Sequence, residues 1–123
     1  MRKLLVCLLA FAAIQSCTYN EYLEEDPIDP NLVSFSEDII PFFNTDCNTS
    51  GCHGVGDIPP DLSPANAYDA LIIGNYIDLT NPANSELYQW MKGNRNLPMP
   101  LSGPDAEANS KVLAWISQGA LDN

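Results

Sequence analysis

Basic side chains are scarce in this chain of 123 residues, with five Lys and Arg against sixteen Asp and Glu and a formal net charge of −11. Such a surface repels nucleic acid and anionic lipid headgroups. It favours a basic protein partner, in an association that weakens as salt rises. Histidine occurs once, as His53, and cysteine four times. Once Cys7 in the leader and Cys17 at its end are set aside, the histidine and two cysteines leave too few ligands for the usual four-ligand structural zinc site. Long apolar runs are also missing. The longest, Leu4 to Ile14, falls short of the about 20 residues that span a bilayer. Large apolar residues are few, so the core is modest. Ten prolines and seven glycines imply many loops.

The N-terminus reads as an export signal. Arg2 and Lys3 precede the apolar run, which ends in Ile14-Gln15-Ser16-Cys17. An aliphatic residue, a spacer, a small residue and cysteine resemble the lipobox of bacterial lipoproteins. That resemblance implies cleavage after residue 16, lipidation of Cys17, and a lipid-anchored protein of the bacterial cell envelope facing the periplasm or the cell surface. An ordinary signal peptide with an incidental Cys17 is the alternative. Removing the leader takes the formal charge from −11 to −13. Residues 17–33 then form an acidic tether, with Glu21, Glu24, Glu25, Asp26 and Asp29 interrupted by Pro27 and Pro30. The folded domain is expected over residues 34–123.

With Cys7 discarded and Cys17 lipidated, the two remaining cysteines stand in Cys47-Asn-Thr-Ser-Gly-Cys52-His53-Gly54. Two cysteines followed at once by the lone histidine suggest covalent haem attachment, whose usual signal is C-x-x-C-H. The thiols add across the haem vinyl groups and His53 becomes the proximal iron ligand. Four residues separate the cysteines here, instead of two. Four other readings use the same residues. A disulfide suits an oxidising compartment but gives the histidine no role. Zinc needs acidic residues to complete the set. A thioredoxin-like motif needs two intervening residues. No base partner for a nucleophilic cysteine is apparent.

Capping and periodicity predict four short helices, long loops and no sheet. Ser34 and Glu37 form a capping-box pattern before Ile39, Ile40 and Phe43, with Pro41 making that helix short or bent. Ser63-Pro64 starts a second helix that Gly74 ends. Asn81-Pro82 starts a third, carrying Leu87, Trp90 and Met91 and closed by Gly93. Pro104 and Asp105 open the last, whose apolar face is Ala108, Val112, Trp115 and Ile116, with Gly119 as its stop. Met99 lies between Pro98 and Pro100 on a stiff loop and suits a second axial ligand. Met91 sits on an apolar helix face and reads as packing.

Ser34 to Asn123 resembles a small monohaem c-type cytochrome domain, close to the planctomycete-type cytochrome c group. The resemblance is carried by Ile39-Ile40-Pro41-Phe42-Phe43, Cys52-His53-Gly54, Pro60-Asp61-Leu62-Ser63, Asn81 to Tyr88, Met99-Pro100 and Trp115 to Ala120. It implies an all-α fold wrapped around one haem c, with the first and last helices packed together. It also implies attachment through Cys47 and Cys52, and axial ligation by His53 and Met99. A carbonyl from Pro59 or Pro60 is expected on the other His53 nitrogen, and Arg95 or Trp90 on a haem propionate. The expected role is an electron carrier between redox proteins, not an enzyme. Two other roles stay open: a haem module that binds or senses a small ligand, and a non-haem lipoprotein with a structural Cys47–Cys52 disulfide.

Overall fold

A computed structural model of the chain describes residues 33–123. The leader, Cys17 and all of the tether except Val33 lie outside the described residues. Among the described residues all regular structure is helical and there is no strand. The first helix, α1, is π-helical over Phe35–Ile39, α-helical over Ile40–Phe42 and π-helical again over Phe43–Cys47. It is followed by α2 (Ala67–Ile73), a 3₁₀ turn (Pro82–Asn84), α3 (Glu86–Met91) and α4 (Ala106–Ser117).

Pro41 neither ends α1 nor shortens it. Proline lacks an N–H, and its ring collides with the carbonyl four residues back in a regular helix. The turns on either side widen instead: the Ile40 N–H reaches Phe35 O, and the Asn48 N–H reaches Phe43 O at 2.8 Å. This widening decides which residues share a face. Phe35, Ile39, Phe43 and Cys47 are spaced by four. In a regular α-helix Cys47 would stand about 120° around the axis from Phe35. Here Phe35, Ile39 and Phe43 are all buried, and half-buried Cys47 packs against the same core. The capping box changes too. Ser34 Oγ accepts the Glu37 N–H at 3.1 Å, but the return bond goes from the Ser34 N–H to Asp38 Oδ2 at 2.9 Å, not to Glu37. A wider turn brings the residue four places on to where an α-helix presents the third.

The last helix follows its sequence signals closely. Asp105 Oδ1 accepts the Ala108 N–H at 2.8 Å. Ala108, Val112, Trp115 and Ile116 are buried, and Gly119 takes φ 110° as the helix stops. Helices α1 and α4 pack through aromatic rings. Phe35 stacks at 4.8 Å and 31° on Trp115, and meets Phe43 and Tyr68 edge-on at 6.3 and 5.5 Å. The end of the chain closes this cluster. Trp115 Nε1 donates to Leu121 O at 2.8 Å, Tyr68 Oη to Ala120 O at 3.1 Å, and the Phe35 N–H to Asn123 Oδ1 at 2.8 Å. Val33, assigned from sequence to the tether, is buried, and its carbonyl accepts a hydrogen bond from Gln118. The folded unit therefore includes it.

Two helix starts come later than their Ser-Pro and Asn-Pro signals suggest. The Ser63 N–H is taken by Asp61 Oδ1 at 2.9 Å, residues 64–66 form a turn, and α2 begins at Ala67. Pro82–Asn84 is a single 3₁₀ turn that ends at Ser85, whose ψ is 132°. Ser85 is buried, and its Oγ accepts the Asp78 N–H at 2.9 Å. That bond draws Ser85 out of helical geometry, and α3 starts at Glu86.

Candidate functional site

The loop that leaves α1 holds the cysteines and histidine by its own hydrogen bonds. The Cys52 N–H returns to Thr49 O at 2.9 Å, and the His53 N–H to Cys47 O at 3.1 Å. Thr49, Ser50 and Gly51 are exposed between them, and Gly51 takes φ 81°, a conformation that glycine adopts without cost. Asp57 Oδ2 accepts the Gly51 N–H at 3.1 Å. The longer gap between the cysteines is thus absorbed as an outward turn, while His53 stays hydrogen-bonded to the end of α1. Further along, the Ile58 N–H donates to Cys52 O at 2.9 Å and the Leu62 N–H to His53 O at 2.7 Å.

The His53 Nδ1 atom lies 3.0 Å from Ile58 O. A carbonyl only accepts, so Nδ1 carries a proton, and in the neutral ring that tautomer leaves the lone pair on Nε2. This is the orienting bond expected from Pro59 or Pro60, supplied instead by the residue before them. The N–H···O geometry needs the short loop 53–58 to curl back on itself, and Ile58 is the carbonyl that curl presents.

Cys47, Cys52, His53 and Met99 line one cavity of about 410 Å³, a size usual for small-molecule and cofactor sites. The rest of its wall is largely apolar, with Phe43, Leu62, Tyr76, Leu87, Trp90 and Met91 among its residues. Met99 reaches it on the Gly93–Pro104 loop, where its N–H faces Trp90 O at 3.4 Å. Forty-six residues separate His53 from Met99 in sequence, and the fold brings both to the same space. Met91, read as packing, is buried and also forms part of the wall.

Cys47 and Cys52 are free thiols. Burial, reinforced by Asp46 and Cys52, pushes the Cys47 thiol up to about 12, so it is protonated at neutral pH. Among the described residues no three His, Cys, Asp or Glu side chains converge as a metal-holding group. The all-protein cage of a structural zinc is therefore not built here.

Trp90 and Arg95, expected on a propionate, are both held by Glu86. Trp90 Nε1 donates to Glu86 Oε1 at 2.8 Å, and Arg95 Nε to the same oxygen at 3.0 Å, while Arg95 also pairs with Glu86 Oε2. Arg95 holds the Glu86 carboxyl below the usual glutamate range, with Trp90 assisting. Sequence reasoning missed Glu86. Its only signal is the four-residue spacing to Trp90, and the Arg95 contact belongs to the folded loop. It also missed Tyr76, a wall residue, and the rim. Ile58, Leu97 and Leu101 border the cavity yet are 59%, 50% and 65% exposed.

Comparison with known protein families, curated proteins and solved structures finds no match to this chain.

Proposed function

We propose that this protein is an electron-transfer lipoprotein carrying one covalently attached haem c, and that its helices and loops wrap that group as in a small c-type cytochrome. The observation that carries the reading is the convergence of Cys47, Cys52, His53 and Met99 on a single apolar cavity. The donor set fits the group. Cys47 and Cys52 would hold the ring through thioethers, and His53 and Met99 would be its axial ligands. When bound, a haem held by a histidine and a methionine would supply a one-electron couple of raised potential.

The chain's own residues do the rest. The Ile58 carbonyl fixes the tautomer and aim of His53. Pro98 and Pro100 stiffen the loop that presents Met99. The apolar wall excludes water, which strengthens every polar interaction inside. The exposed rim of Ile58, Leu97 and Leu101 offers an apolar contact, and the acidic surface favours a basic redox partner. The lipid on Cys17 and the acidic tether would hold the domain at the cell envelope. The role is transfer of single electrons, not catalysis.

The test is the intact mass and visible spectrum of protein made in a host with cytochrome c maturation. A mass raised by one haem, with sharp bands on reduction, is the expected result. A mass lowered by two hydrogens would assign Cys47 and Cys52 to a disulfide and overturn the reading. Carbon monoxide binding by the reduced, haem-loaded protein at neutral pH would instead make it a small-ligand module.

A further inference from the structure

We infer that Glu86 is a positioning residue, which latches the Met99 loop onto α3 and so holds Met99 at the cavity. The inference rests on the function proposed above for what Met99 does, but the latch itself stands on hydrogen bonds. Glu86 opens α3, and its carboxylate faces two donors from different places. Trp90, one turn along α3, donates to Oε1 at 2.8 Å, and Arg95, beyond the helix end, donates to both oxygens. Two further bonds fasten the same loop. Asn94 Nδ2 donates to Gln89 Oε1 at 2.9 Å, and the Met99 N–H faces Trp90 O at 3.4 Å. Trp90 and Met99 both line the cavity. The carboxylate thus couples a wall residue to the loop that carries the distal group.

The latch is of moderate strength. The Arg95 and Glu86 side chains are 36% and 39% exposed, so water and salt weaken the pair. Its two-pronged geometry and the shared Trp90 bond favour it over a single-contact surface pair. A partly exposed latch holds a loop closed most of the time while letting it open.

The test uses Glu86→Gln, Arg95→Gln and the double variant, in the full-length protein. The first readout is amide hydrogen exchange, which needs no haem. The Met99 and Asn94 amides should exchange about three- to tenfold faster in each single variant. Exchange in α4, at Val112 and Trp115, should not change. The double variant should be no faster than the singles, because both remove the same contact. Arg95 lies outside α3, so its variant separates loss of the latch from loss of helix stability. The second readout is imidazole affinity of the oxidised haem-loaded protein, since imidazole takes the position Met99 leaves. It should rise by the same three- to tenfold factor, about in step with the open fraction, and Glu86→Gln should have no effect once Met99→Ala is present. Unchanged exchange of the Met99 loop overturns the latch, as does an equal rise in α4. Faster loop exchange in a protein that attaches no haem would leave the latch standing and overturn the function proposed for the cavity. Faster exchange with unchanged imidazole affinity would overturn the positioning of Met99 as a ligand.

Discussion

The two halves of this domain are packed differently. Between α1 and α4, Phe35, Phe43, Val112, Trp115 and Ile116 are buried almost completely, ring against ring. Across the cavity, Cys47, Cys52, His53, Trp90 and Met99 are only half-buried, and the space between them is enclosed by apolar side chains. The first half is complete in itself. The second half presents apolar surface that no side chain of the described residues covers. A chain with few large apolar residues thus spends them twice, once on a closed core and once on the wall of a site. In the site half, hydrogen bonds of the loops add to the packing of Phe43, Leu62, Leu87 and Met91. His53 to Ile58, Gly51 to Asp57, and Arg95 and Trp90 to Glu86 are examples.

Substitutions can break that contrast or sharpen it. The largest effect is expected at His53. On the proposed function His53→Ala abolishes the normal haem spectrum, while Met99→Ala keeps covalent haem and lowers the reduction potential. Unaltered ligation and potential in the Met99 variant would remove that residue from the site. Next comes the closed core. Trp115→Ala should cost about 3–5 kcal/mol of folding stability, measured by chemical denaturation. Leu87→Ala, on the cavity wall, should fall at the lower end of core truncations, about 2 kcal/mol, because its environment already borders open space. Equal losses at the two positions would erase the distinction between the halves.

A smaller effect is expected at Gly74, which ends α2 next to the cavity-wall residue Tyr76. Its backbone is ordinary, with φ −76°, and the left-handed residue is Asn75, at φ 57°. What excludes a side chain is space: a Cβ would stand 2.5 Å from the Tyr76 ring and 2.6 Å from Ala70 O. Gly74→Ala should destabilise by about 1–3 kcal/mol and shift Tyr76, which a tyrosine-specific probe of the cavity would report. The smallest effect is on the surface. Ser63, through its hydroxyl and N–H, holds the Asp61 carboxyl below the usual aspartate range, and the Thr80 hydroxyl with the Asn81 N–H does the same for Asp78. A depressed folded value means that the unfolded chain binds the proton more tightly. The stabilisation is therefore present above about pH 4 and lost as pH falls through the folded values. The thermal midpoint should fall on acidification below pH 4, and Asp61→Asn and Asp78→Asn should each flatten that slope slightly.

Legibility in the sequence follows the range of the interactions. Helix α4 was readable because everything that makes it is local: Asp105 caps, Val112 and Ile116 repeat at helical spacing, and Gly119 stops. Cys47, Cys52, His53 and Met99 were readable as candidates because each carries chemistry in its residue type and near neighbours. Helix α1 runs longer than Pro41 suggested, since widened turns are adopted only when burying Phe35, Ile39 and Phe43 together outweighs the lost bond. The Asn81-Pro82 start was misplaced because a cap signal competes with a bond between Ser85 and the distant Asp78 backbone. The Glu86 partner of Arg95 was not legible because the two meet only after the loop folds back, whereas its bond to Trp90 lies within one helical turn.

The order of the helices, the all-α class and the pairing of a histidine with two cysteines were set by the sequence itself, through caps, spacing and residue chemistry that act within a turn or two. Tertiary structure decided that Cys47 joins the core stripe of α1, that Ile58 and no proline orients His53, and that Glu86 gathers Trp90 and Arg95. Those outcomes depend on how the loops fold back and which groups then meet, and hydrogen bonds of about 3 Å are sensitive to placements that caps and spacing do not encode.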